Sequence, residues 1–379
     1  MCRAAWSIRP NFPTRHSSCD KALAQSSSDD LHSYFIAPNI GKEAITLNLR
    51  KSAGQELLKK IIRELKVDVF LCNTLPKRYK QLGIDYQTLS AANPNLIWCG
   101  ISALGPEHPE AAGYDPALQA LLGYMYLTGE PDRDPMLCGL PLIDLKAGDE
   151  AFTQVLLALL ERETQGAEGA KKPGGKEIHI SMAHCAASWL ITALPQLEFV
   201  EDESKLFKRS GNEHRSFIPC NCYPTKDGYV YLAIGSDSQW EKLTRIKHFE
   251  PLNQPARKTN RGRNEVKEAI YADIRAALVN YTTAEFIRIG TEQNLSVAPV
   301  NSVQDTARLD FVQKNMLRTE IPGGGIRRLF PAAVETDFLQ QNQMTLPCAP
   351  HLGEHNASIY KEIGLADEEI RRLHDDEVI

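Results

Sequence analysis

The chain has 379 residues, 42% of them hydrophobic and 24% charged, enough for a sizeable buried core in two domains or one elaborate one. Its 43 basic residues are interspersed with 48 acidic ones, a net charge of −5 with no dominant basic block, which argues against nucleic acid as a partner. No run approaches the roughly 18 apolar residues that a membrane-spanning helix needs, so a soluble chain without a membrane partner is expected.

In residues 1–28, Arg3, Arg9 and Arg15 precede any acid and serines accumulate at Ser17, Ser18 and Ser26 to Ser28. A mitochondrial presequence has this composition, and so does a disordered start. From Ala44 to Leu49 the letters AITLNL alternate as a strand should, and Gly54 to Leu65 carries Leu57, Leu58, Ile61, Ile62 and Leu65 at helical spacing. Val67 to Cys72 and Asn95 to Ile101 are short apolar runs of strand type. Alternation of strand and helix predicts an α/β fold with a parallel sheet, whose ligands sit beyond the carboxyl ends of the strands. Between Lys146 and Glu163, Ala147, Ala151, Phe152, Val155, Leu156, Leu159 and Leu160 mark one buried helical face. A Gly- and Lys-rich loop over 165–176 and a strand at Glu177 to Ser181 follow.

A second unit is expected from near Val200, with the strand Tyr229 to Ile234 after the turn Lys226-Asp227-Gly228. Helices are expected around Ser238 to Ile246 and Glu265 to Leu278, which makes it a small α+β domain. The tail from Asp367 to His374 reads as a helix with Asp367 at its cap.

Asp144, in LPLIDLKAGD, stands after an apolar strand-like run and just before the strong helix. A carboxylate there meets the positive end of the helix dipole and can attack an activated carbonyl; position alone favours a helix cap. Tyr114-Asp115 before Pro116 reads as a turn and cap or as a pair lining a site. The nine cysteines follow no disulfide or zinc spacing, which points to a reducing compartment, the cytoplasm. His214 with Cys220 and Cys222 lacks a second ligand pair, so these are expected in core or loop, with no metal. Gly323 to Gly325 is expected in a surface turn rather than a phosphate cradle.

In order along the chain stand NIGKEAITLNLRKSAG (Asn39 to Gly54), LGIDYQTLSAANPNLIWCGISALG (Leu82 to Gly105) and AGYDPALQALLGYMYLTGEP (Ala112 to Pro131). The Asp144 segment, GNEHRSFIPCNCYPTKDGYVYLAIGSD (Gly211 to Asp237), SVAPVNSVQD (Ser296 to Asp305) and APHLGEH (Ala349 to His355) follow. From about Tyr34 to Ile379 this ordered set resembles the family III CoA-transferases of CaiB/BaiF type. That group includes formyl-CoA and carnitine CoA-transferases and α-methylacyl-CoA racemases.

The resemblance implies that Asp144 is the nucleophile that carries CoA as an aspartyl thioester between two carboxylic acids, with Tyr114 and Asp115 lining the site. It also implies that Leu47, Arg50 and Asn73 receive CoA, which is a thioester substrate; no cofactor is held permanently and no metal is required. An interlocked homodimer is implied, with a Rossmann-like domain over 34–198 and 331–379, a small domain over 199–330, and a disordered or atypical 1–33.

The sequence departs from the family at three places. Gln81 stands where relatives usually carry arginine. Tyr114 and Ser238 stand where racemases carry a histidine and, nearby, a glutamate, which disfavours the racemase alternative. The family's opening strand-helix-strand has no counterpart before Ser33, which leaves a truncated, inactive relative as the other alternative.

Overall fold

The computed structural model describes residues 6–9, 31, 33–167, 174–200 and 208–379. The chain divides into two units, 1–114 with 143–186 and 307–379, and 115–142 with 187–306. Residues 115–142, expected with the parallel sheet, thus belong to the second unit. Residues 307–330, expected in the small domain, belong to the first. The rest of the expected 1–33 segment and most of the loop over 165–176 lie outside the described residues.

The first unit has a mixed α/β build. Its parallel sheet has the order β3 (Val69–Cys72), β4 (Ile97–Ser102), β5 (Lys176–Ser181), in register from Val69 beside Ile97 to Ser102 beside Ser181. The central strand, β4, is buried along nearly its whole length, which is why it reads as an apolar run without alternation. Trp98 within it is fully buried and donates its indole N–H to the Ile84 carbonyl at 2.7 Å.

A second parallel pair joins β1 (Trp6–Arg9) to β2 (Glu43–Thr46), with Trp6 beside Glu43 and Arg9 beside Thr46. A strand of four residues therefore precedes Ser33. Its four residues are too few for a period-2 pattern to show. β2 also stops at Thr46 rather than Leu49, because Asn48 turns away and gives its N–H to the Val378 carbonyl at 2.8 Å.

The helix α1 (Ser52–Glu64) follows this turn and buries Leu57, Leu58, Ile61 and Ile62, the positions that its periodicity predicts. Gly54 lets the helix start close to the turn, since a Cβ there would lie 2.2 Å from the Asn48 carbonyl oxygen. The long helix α2 (Leu142–Ala167) begins one turn earlier than expected, so Asp144 lies inside its first turn rather than ahead of it. Its buried face is the expected one only in part: Ala147 and Ala151 point inward with Ile143 and Ala158, and Val155 and Leu159 are half-buried, whereas Phe152, Leu156 and Leu160 are exposed.

The free edge of β2 is closed by side chains from the C-terminal part of the chain. His355, at the start of α3 (Asn356–Glu362), accepts the Ala44 N–H at Nδ1 (3.2 Å) and gives its own N–H to the Ala44 carbonyl (3.0 Å). Asn356 exchanges two hydrogen bonds with Thr46, and Tyr360 donates its hydroxyl to the Thr46 carbonyl at 2.5 Å. These groups do for β2 what a neighbouring strand would. The last helix, α4 (Asp367–Asp375), is capped at Ala366, whose N–H donates to Glu369; Asp367 is the first helical residue and not the cap.

In the second unit β6 (Cys220–Pro224), β7 (Tyr229–Ala233) and β8 (Ser296–Pro299) form an antiparallel sheet. Tyr223, Val230, Leu232, Trp240, Phe249, Ile270, Ile274 and Phe286 make its core. Arg263 is completely buried there, donating to the Ile218, Arg257 and Lys258 carbonyls and to Asp237. No helix among the described residues is long and apolar enough to cross a membrane.

Candidate active site

The carboxyl ends of parallel strands are where an α/β unit collects ligands. β2 runs out into the turn that carries Arg50, and β3 into Asn73; both residues are exposed. The Arg50 N–H is held by the Asn48 Oδ1 at 3.2 Å. Among the described residues the Asn73 side chain has no hydrogen-bond partner, leaving its amide available. Leu47 differs from its neighbours: its side chain is fully buried in the core with Ile45 and Leu58, so only its backbone can meet a ligand. Gln81 is exposed in the short helix Tyr79–Leu82.

Asp144 is exposed in the first turn of α2, a 26-residue helix. Negative charge is favoured at that end, where the peptide dipoles point their positive ends. Lys146, two residues on, pairs with Glu150 at 2.8 Å. That hydrogen bond raises the ammonium pKa and, with a lesser contribution from Gln154, lowers that of the Glu150 carboxyl, so both are charged at neutral pH. Cys185, in the helix Met182–Trp189 that leaves β5, has its thiol pushed up by burial and then by the Glu150 charge.

Tyr114 closes one segment of the first unit and is 83% exposed. Asp115 opens the second unit and is only 4% exposed, accepting a hydrogen bond from Gln119 Nε2 at 2.6 Å. Gln119 in turn accepts the Cys138 N–H (3.2 Å) and donates to the Leu140 carbonyl (3.3 Å), all within the second unit. Asp115 therefore faces protein rather than solvent.

Other candidate nucleophiles fare poorly. Burial pushes the Cys72 and Cys99 thiols up to about 11, so they are protonated at neutral pH. The His214 Nδ1 accepts the Ser216 and Phe217 N–H groups, and Cys220 is buried in β6. Among the described residues no group of three or more His, Cys, Asp and Glu side chains is placed to hold a metal ion. Gly323 to Gly325 form the turn of the hairpin between Met316–Glu320 and Ile326–Pro331.

One arrangement that sequence reasoning missed is the clasp of His355, Asn356 and Tyr360 on β2. Nothing in the spacing of residues more than 300 positions apart announces such a contact.

The chain is similar to known proteins over most of its length. An acyl-CoA transferase of Fusarium pseudograminearum is 27% identical over 369 residues, 95% of this chain and 77% of that protein. A succinate–glutarate CoA-transferase of Agrobacterium fabrum is 27% identical over 334 residues, 87% and 80% respectively. The crystal structure of a CAIB/BAIF family protein from Brucella suis matches with a TM-score of 0.76 at 26% identity, covering 90% of this chain and 87% of that one. The model of CoA-transferase family III matches residues 13–356, and the chain belongs to that family.

Proposed function

We propose that this CoA-transferase moves CoA from an acyl-CoA donor to a free carboxylic acid through an aspartyl-CoA thioester on Asp144. The observation that carries the reading is an exposed carboxylate in the first turn of the longest helix, in a family whose named relatives transfer CoA. An Asp144 oxygen attacks the donor thioester carbonyl, the C–S bond breaks, and CoA leaves as thiolate from a mixed anhydride. The thiolate then attacks the Asp144 carbonyl, forming the aspartyl thioester and releasing the donor acid as its carboxylate. The acceptor carboxylate attacks that thioester, giving a second anhydride and thiolate. Attack of the thiolate on the acceptor carbonyl forms the new acyl-CoA and returns the Asp144 carboxylate. No electrons are exchanged with an outside partner, and each tetrahedral intermediate calls for hydrogen-bond donors, a role for which exposed Tyr114 is suited.

Arg50 and Asn73 would hold the nucleotide beyond the carboxyl ends of β2 and β3, in a domain of Rossmann-like type, and Asp115 would act through Gln119 as a positioning residue. A homodimer belongs to the same reading, with the exposed apolar face of α2 as the surface that a second copy covers.

Succinate and glutarate, named for the Agrobacterium relative, are the first acids to assay. With succinyl-CoA labelled in its CoA moiety and free glutarate, label is expected in glutaryl-CoA. In heavy water the α-proton of a 2-methylacyl-CoA is expected to stay unexchanged. Exchange without transfer to any acid in a panel would replace the reading by that of a racemase, and neither reaction would make the chain an inactive relative.

A further inference from the structure

The turn from Leu47 to Arg50 after β2 carries the proposed CoA contact Arg50, and the short helix Tyr79–Leu82 after β3 carries Gln81, which stands where relatives usually carry arginine. β2 pairs with β1 and β3 with β4, and no hydrogen-bonded ladder among the described residues joins β2 to β3. Sheet hydrogen bonds therefore do not set the distance between the turns.

Gln55, half-buried near the start of α1, spans them. Its side-chain nitrogen donates to the Leu49 carbonyl at 2.9 Å and to the Gln81 carbonyl at 3.0 Å. A primary amide has two hydrogens, so both bonds form together. The Leu49 carbonyl belongs to the same planar peptide as the Arg50 N–H, which Asn48 Oδ1 accepts at 3.2 Å. The peptide that aims Arg50 is thus pinned at both ends by side chains. Asn48 is itself anchored, through its N–H to Val378 and its amide to Glu377. Opposite, Gly83 has φ +65° and leaves room for the bridge, since a Cβ there would lie 2.9 Å from the Gln55 Oε1.

We infer that Gln55 is a positioning residue that fixes the spacing between the Arg50 turn and the Gln81 turn, and so preorganises the place that receives the nucleotide end of CoA. The inference rests on the reading of Arg50 as a CoA contact. Gln55 does not touch the reacting atoms, so its loss should weaken binding shared by ground and transition states.

Gln55→Met keeps size and neutrality but removes both donors. It is expected to raise KM for the acyl-CoA about fivefold to tenfold with kcat within about twofold of wild type. Gln55→Asn, an amide one methylene too short to reach both carbonyls, is expected to do the same and serves if the methionine variant does not fold. Arg50→Ala is measured alongside. If Arg50→Ala raises KM while both Gln55 variants leave it unchanged, the inference is overturned and the CoA reading stands. If Arg50→Ala leaves KM unchanged, the reading of Arg50 fails and the inference goes with it. A fall in kcat at constant KM in the Gln55 variants also overturns it.

Discussion

Asp144→Asn is expected to lower the rate of CoA transfer at least a thousandfold, about 4 kcal/mol in the barrier, while leaving the fold nearly intact. The change removes the nucleophilic oxygen with almost no change in volume. Asp144 is exposed in the first turn of α2, and weaker charge compensation at the start of that helix costs about 0.3–1 kcal/mol. Steady-state transfer assays on the variant, with circular dichroism to confirm folding, read both quantities. Activity within about tenfold of wild type, a barrier change near 1.4 kcal/mol, would show that Asp144 is not the nucleophile.

The second large effect concerns assembly. Phe152 is 65% and Leu160 59% exposed, and with Leu145, Leu156 and Leu157 they leave α2 with large apolar side chains facing outward. Such a patch on one helix marks an interaction surface. Burying one such side chain fully contributes about 1.5–3 kcal/mol, and replacing it by a carboxylate adds a desolvation cost. Sedimentation equilibrium is expected to give the wild-type chain twice its monomer mass at micromolar concentration. Leu156→Asp is expected to weaken the dimer more than about a hundredfold, the equivalent of roughly 2.7 kcal/mol. A monomeric wild type, or a dimer indifferent to the substitution, would remove α2 as the interface.

Local periodicity read well where one face of an element is buried and the other wet. Leu57, Leu58, Ile61 and Ile62 announce α1, and Tyr229 to Ala233 forms β7 almost where alternation places it. It read α2 only in part, because that helix has two apolar stripes: small residues, Ala147 and Ala151 with Ala158, pack inward, and the bulkier Phe152, Leu156 and Leu160 face out. Side-chain hydrophobicity favours the bulky stripe, although the alanines permit the closer approach. β1 escaped notice because four residues carry no period, and the boundaries of the units did because 115–142 joins the second unit across a long gap in sequence.

For the proposed site, the family resemblance pointed to Arg50, Asn73, Tyr114 and Asp144, but a local pattern does not fix the state of each side chain. Leu47 is swallowed by the core, and Asp115 faces Gln119 rather than solvent. Both outcomes depend on packing between segments distant in sequence, which a local pattern does not encode. The clasp of His355 and Asn356 on β2 and the Gln55 bridge are of the same kind.

The central claim is that CoA is carried on Asp144, and mass spectrometry of a trapped intermediate tests it most directly. Wild-type enzyme is incubated with succinyl-CoA in the absence of acceptor acid, quenched with hydroxylamine and digested. The Asp144 peptide is expected to carry a hydroxamate in an amount that depends on succinyl-CoA, and to be unmodified in Asp144→Asn. An unmodified Asp144 peptide from enzyme that is turning over, with the hydroxamate on another residue or on none, would contradict the covalent account.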